Sequence, residues 1–173
     1  MFERAALWKP VSRTQEPAHR AAHKNKGKRV LSDFQRILIA VDGGPFGAHA
    51  AEIGLHLACS LGAEVAFIHA IDPGLTYSPG LAPDQLIAEA QRDAKTMIAG
   101  LKSLAPELAA IELIRVGKPA HEILAAAKEW PASVIVIGSH GRSGLSRVVM
   151  GSVAEAVMRH SPCPVLVTRA KID

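Results

Sequence analysis

Aromatic residues make up only 4% of the 173-residue chain. A core must therefore be assembled from Ala, Val, Ile and Leu, which favours helices packed closely on a sheet over an aromatic-rich β-sandwich. Cysteine is scarce as well. Cys59 and Cys163 stand in unrelated contexts and outside any CxxC pair, so neither a zinc site nor a disulfide framework is indicated, and a reducing, cytoplasmic setting is expected. No apolar run approaches the ~20 residues of a membrane span. Residues 1–33 lack the apolar stretch of a secretory signal. There is no GxxxxGK[ST] loop, no dedicated pair of magnesium carboxylates and no evident general base for water. Fast nucleotide hydrolysis is thus not expected.

The charge is unevenly spread. Residues 1–33 hold eight Lys/Arg against three Asp/Glu, whereas residues 34–173 hold twelve against thirteen. The basicity belongs to a leader, read as largely disordered with room for a short helix near Phe2–Trp8, and residues 34–173 form one domain. The leader is a solvated tail or an electrostatic tether to nucleic acid or anionic lipid. The near-neutral domain does not read as a nucleic-acid binder.

Within the domain, strand and helix patterns alternate. Arg36 to Asp42 is a buried-strand pattern ending in a carboxylate. Phe46 to Leu61 is an Ala-rich helix closed by Gly62. Glu64 to Ile71 is a second strand, followed by a Pro- and Gly-containing loop from Asp72 to Pro83, a candidate lid. Pro83 to about Leu104 is a longer helix. Ile111 to Val116 alternates and so belongs nearer a sheet edge. Ala120 to Trp130 is a third helix with Pro119 at its start, Ser133 to Ile137 a fourth strand, Val153 to His160 a fourth helix and Val165 to Thr168 a last strand. Five strands and four helices predict an α/β fold: an open, mostly parallel sheet with helices on both faces. Ligands bind such sheets where the strand order reverses. Strand one ends at Asp42 and strand four at Gly138, so these two should be neighbours, giving the order 3-2-1-4-5.

The segment between Gly138 and Ser152 is a glycine-rich loop from a buried strand into a helix. It brings backbone N–H groups and a positive helix end together, which suits a phosphate. Gly138 lets backbone approach a sugar, and Gly141 offers an N–H from a conformation other residues avoid. Gly151 and Ser152 open a helix whose first N–H groups lack internal partners, and the Ser152 hydroxyl can cap it or donate to a phosphate. Arg142 and Arg147 either neutralise phosphate charge or lie on a solvated loop. Asp42 is a ligand carboxylate or one that satisfies local turn amides.

These residues resemble the universal stress protein family over roughly residues 35–170. The likeness rests on Ile37-Leu38-Ile39-Ala40-Val41-Asp42-Gly43, on Val116-Gly117-Lys118-Pro119-Ala120-His121-Glu122-Ile123, on Gly138-x-x-Gly141 followed after nine residues by Gly151-Ser152, and on Ser161-Pro162-Cys163-Pro164-Val165-Leu166-Val167. The resemblance implies a Rossmann-like domain that binds ATP, with Mg²⁺ accompanying the nucleotide, acts in stress resistance and dimerises through the last strand, Val165–Thr168. It places Asp42 against ribose and adenine, together with backbone around Ala40 and Ala70. Gly138 would lie beneath the ribose, and Gly141, Arg142, Gly151, Ser152 and Val153 around the phosphates. One departure is Gly44, where the family usually has serine; a helix-capping hydroxyl is lost.

His69 reads as a packed, hydrogen-bonded core histidine rather than a base, His140 as a spacer within the loop, and Cys163 as structural, with a partly exposed thiol open to oxidation. The function expected is a small nucleotide-binding regulator, at most a slow ATPase. The alternatives are a dimeric scaffold for protein partners with an empty nucleotide site, and a nucleotidyl-transfer or ATP-pyrophosphatase-type enzyme.

Overall fold

A computed structural model describes residues 34–74, 82–141 and 150–170. The leader and its candidate tether, most of the candidate lid, Arg142 and Arg147 lie outside the described residues.

The described chain runs β1 (Arg36–Ala40), α1 (Pro45–Leu61), β2 (Glu64–Ile71), α2 (Pro83–Lys102), β3 (Ala110–Val116), α3 (Pro119–Glu129), β4 (Val134–Gly138), α4 (Ser152–His160) and β5 (Val165–Thr168). All strand pairings are parallel and the order is β3-β2-β1-β4-β5. This is the order expected from the ends of strands one and four, and β3 takes the edge that its alternation predicts.

The central strands are apolar throughout because both their faces are covered. Ile37, Ile39, Val65, Phe67, Val134 and Val136 point toward a layer supplied by Ala50, Ala51, Leu55 and Ala58 of α1 and Ile98 of α2. The alternate residues Leu38, Ala40, Ala66, Ile68, Ile135 and Ile137 meet Ile123, Ala126 and Ala127 of α3 and Ala154 and Val157 of α4. Burying each large aliphatic side chain contributes roughly 1.5–3 kcal/mol, which makes up for the scarcity of aromatics.

Small residues let α1 sit low on the sheet. A Cβ on Gly54 would come within 2.6 Å of Ile39 Cδ1, and one on Gly47 within 2.5 Å of Asp42 Oδ1. The helix ends at Gly62 in the left-handed conformation (φ 65°, ψ 36°), where Gly62 N–H and Ala63 N–H both donate to Ala58 O. Its other end carries the predicted loss: Gly44 is the N-cap and no side chain caps the helix.

Candidate functional site

A cleft of about 830 Å³ opens along the carboxyl ends of β1, β2 and β4, within the size range of small-molecule sites. Its lining includes Ala40, Asp42, Ala70, Gly138, Gly141, Gly151, Ser152 and Val153. Residues remote in sequence are thus gathered at the point where successive strands leave β1 in opposite directions.

At the β4 end the backbone makes a relay. Ser139 N–H donates to Thr168 O (2.7 Å) at the end of β5, and Gly151 N–H donates to Ser139 O (2.8 Å). The start of α4 is thereby fastened to the end of β4. Gly151 is the N-cap in extended conformation (φ −63°, ψ 144°), without a side-chain cap. Ser152 is consequently the first helical residue rather than the cap, and its side chain is exposed. Glu155 N–H closes the first turn on Gly151 O, so the N–H groups of Ser152 and Val153 precede the helix ladder, and these two residues bring the positive end of α4 to the lining of the cleft.

Asp42 sits opposite. Its Oδ1 accepts from Gly44 N–H (2.9 Å), the local-turn role, while Oδ2 lies 3.2 Å from where a Cβ of Gly141 would be. One oxygen shapes the turn into α1 and the other borders the glycine loop.

Two glycines work differently from expectation. The position a Gly138 Cβ would take is 2.8 Å from Phe46 O and 2.9 Å from Phe46 C. The chain approaching Gly138 so closely is the start of α1. Glycine is therefore required there for packing, whatever sugar lies above it. Gly141 does not adopt a left-handed conformation; the positive-φ glycines among the described residues are Gly43, Gly62 and Gly117. Its constraint is the neighbouring Asp42 carboxylate. At Gly151 a Cβ would make only ordinary contacts, 3.5 Å from His140 Cα and Ser139 O.

His140 packs its ring against Phe46 (centroids 5.1 Å apart) and places Nδ1 3.0 Å from Ser139 Oγ. Its Nε2 is buried without a hydrogen-bond partner. His69 is 6% exposed, and its Nδ1 lies 2.8 Å from Val41 O, the hydrogen-bonded core histidine expected.

The sequence reading missed the far wall, where Leu86, Glu89, Ala90, Asp93, Ala94 and Met97 of α2 line the cleft. These positions share one face at helical spacing, a signal that could have found them. The lining holds four carboxylates, those of Asp42, Asp72, Glu89 and Asp93, and no Lys or Arg among the described residues. Asp72, at the rim, accepts from Gly74 N–H (2.9 Å) and from Lys118 Nζ (3.1 Å), which hold its carboxyl below the usual carboxylate range. No group of three His, Cys, Asp or Glu side chains forms a metal-ligand set among the described residues.

The universal stress protein family model matches residues 33–169. The chain belongs to that family. Universal stress protein YxiE of Bacillus subtilis is 35% identical over 147 residues, covering 79% of this chain and 99% of the relative. Universal stress protein UspA from Lactobacillus plantarum superposes with a TM-score of 0.69 at 28% identity, over 79% of this chain and 98% of that one. The same fold recurs in a universal stress protein solved in complex with cAMP (TM-score 0.64, 20% identity, 80% and 99% coverage). It recurs again in one from Archaeoglobus fulgidus in complex with dAMP (TM-score 0.56, 23% identity, 78% and 97% coverage).

Proposed function

We propose that this universal stress protein binds ATP in the cleft and acts as a small stress-response regulator whose nucleotide occupancy changes its conformation or its protein partners. The observation that carries the reading is the meeting, in one cleft, of the uncapped N-terminus of α4 with Gly138, Gly141, Gly151 and Asp42. Family members of the same fold solved with cAMP and dAMP support an adenine nucleotide as the ligand class. The phosphates belong at Gly141, Gly151, Ser152 and Val153, where the N–H groups of Ser152 and Val153, ahead of the helix ladder, and the helix dipole favour negative charge. Arg142, next in the loop, is placed by sequence to add a cation. The ribose belongs over Gly138 beside Asp42, and the base beside the backbone of Ala40 and Ala70. Because the described lining is acidic, a triphosphate should enter with Mg²⁺ neutralising it, the ion held by the phosphates rather than by a protein ligand set.

Turnover should be slow at best, since the sequence holds no GxxxxGK[ST] loop and the described residues hold no cluster of three His, Cys, Asp or Glu side chains to carry a metal. Multiple turnover above ~1 s⁻¹, the low end of ordinary enzymes, would overturn this part. Dimerisation through Val165–Thr168 and a cytoplasmic location complete the proposal; no described helix is long and apolar enough to cross a membrane.

Calorimetric titration with Mg·ATP, after release of any co-purified nucleotide, tests the reading against Gly151→Val. Valine fits the extended backbone of Gly151, so the variant should fold. Micromolar binding by wild type, lost in the folded variant, is the expected result. Absence of binding by wild type would leave the partner-binding scaffold in its place.

A further inference from the structure

His69 is the most enclosed ionisable side chain on the cleft, only 6% exposed. The group 2.8 Å from its Nδ1 is the carbonyl oxygen of Val41. A carbonyl can only accept, so Nδ1 carries the proton and donates. In the uncharged ring Nε2 is then an acceptor whose tautomer and orientation are fixed from behind. The main chain holds the same junction rigid, Val41 N–H donating to Ile68 O at 3.0 Å. Among the described residues, His140 Nε2 is the side-chain nitrogen that is both buried and without a partner. Among the described residues His69 Nε2 has no second partner, and unlike His140 Nε2 it is not fully shielded, so the cleft that His69 lines is where a ligand would reach it.

Strand order says which part of a nucleotide reaches it. The phosphate end lies at β4 and α4, β1 with Asp42 comes next, and β2 with His69 and Ala70 comes after that. Two strand spacings amount to about 10 Å, enough to carry a nucleotide from its phosphates across its ribose to its base. On the far side, Leu86, Ala90 and Met97 of α2 offer an apolar wall for a flat ring.

We infer that His69 is a base-specificity residue: its Nε2 accepts a hydrogen bond from the exocyclic 6-amino group of adenine and so selects 6-amino over 6-oxo purine nucleotides. The inference rests on the nucleotide reading above and adds to it the group that reads the base. A 6-oxo purine would set a carbonyl oxygen against the Nε2 lone pair and leave both acceptors unpaired in an enclosed site.

The test compares Mg·ATP with Mg·ITP, which differ at the 6-position, by calorimetry on the full chain. Wild type should bind ATP at least tenfold more tightly than ITP. In His69→Phe, which keeps a planar ring and removes both nitrogens, the two affinities should converge to within about twofold. Loss of ring packing alone would lower both together and leave their ratio unchanged. Should His69→Phe fail to fold, long-range ¹H–¹⁵N spectra of the wild-type imidazole serve instead, and ATP but not ITP should shift the His69 Nε2 resonance. Equal wild-type affinities, a ratio preserved in His69→Phe (the carboxylates of Glu89 or Asp93 then reading the amino group), or an unmoved Nε2 resonance would each overturn the inference. Equal affinities that are both abolished by Gly151→Val would overturn it while sparing the nucleotide reading; no wild-type binding of either nucleotide overturns both.

Discussion

Gly138 and Gly151 look alike in the sequence, and the fold separates them. At Gly138 the neighbour is backbone of Phe46, which cannot swing aside. Gly138→Ala should therefore force α1 off the end of β4, at a cost of about 1–3 kcal/mol, the range of overpacked sites. Gly151→Ala meets nothing closer than 3.5 Å and should leave the urea midpoint close to wild type. Equal destabilisation of the two would refute the packing account. Cysteines offer a second residue-scale test. Burial pushes the Cys163 thiol up, against hydrogen bonds from Ser161 and Ile135, and desolvation together with the Glu107 carboxylate pushes Cys59 up as well. Each thiol should alkylate more slowly in the native protein at pH 8 than after unfolding, which argues against Cys163 as an oxidation sensor. Native-state labelling as fast as that of the denatured chain would reverse this conclusion.

Among the elements, helix starts and edge ties carry the testable chemistry. Helix α1 begins at Gly44 in extended conformation (φ −88°, ψ 169°), which serine adopts freely. Gly44→Ser should restore a capping hydroxyl and raise stability by a few tenths of a kcal/mol, seen as a higher urea midpoint at unchanged slope; a lower midpoint would mean that the hydroxyl clashes. On the other side of the sheet, Arg115 of β3 holds Glu129 of α3 through Nη2 at 2.6 Å and Nη1 at 3.2 Å. The hydrogen bonds from Arg115 keep the Glu129 carboxyl below the usual carboxylate range. A depressed carboxylate stabilises the fold above its unfolded value, and that contribution disappears as pH falls through the folded value. The acid limb of a stability–pH profile should be shallower in Glu129→Gln, though only slightly, because Glu129 faces solvent. An identical limb would show that the pair contributes nothing.

These elements also show what a sequence can carry. The sheet order was legible because Asp42 and Gly138 both end strands with residues suited to a ligand, and only adjacent strands place two such ends together. Helix limits moved by one or two residues, as at α4, where Ser152 is helical. What stayed hidden depended on long-range contact. No local pattern tells Gly138 that Phe46 backbone will lie against it, nor Gly141 that Asp42, rather than its own dihedrals, will constrain it. The α2 wall was hidden for a different reason: its apolar face reads as core packing until the cleft beside it is seen.

At the scale of the whole molecule the two sheet edges are unlike. Strand β3 carries Glu112 and Arg115 with ion pairs to Lys102 (2.9 Å) and Glu129 (2.6 Å), charges that discourage another strand from docking. Strand β5 has no charged residue, and Leu166 remains 38% exposed, with Met158 of the adjoining helix 48% exposed. A shallow groove lined by Glu155, Met158, Arg159, Cys163, Pro164 and Val165 runs beside it. An edge of this kind, with no strand on its outer side among the described residues and with bare aliphatic side chains, is suited to a second copy of itself. Leu166→Asp should thus give a monomer by light scattering, since a dimer would set two carboxylates near one another at the apolar seam. The variant should keep its fold, because Leu166 is partly exposed and belongs to neither core cluster of the single chain. Its affinity for Mg·ATP should also be kept, because neither Leu166 nor any other β5 residue lines the cleft. A dimer that persists in Leu166→Asp would move the interface elsewhere. A monomer that no longer binds nucleotide would show instead that β5 pairing supports the cleft, through the bond from Ser139 N–H to Thr168 O that joins this edge to the loop before α4.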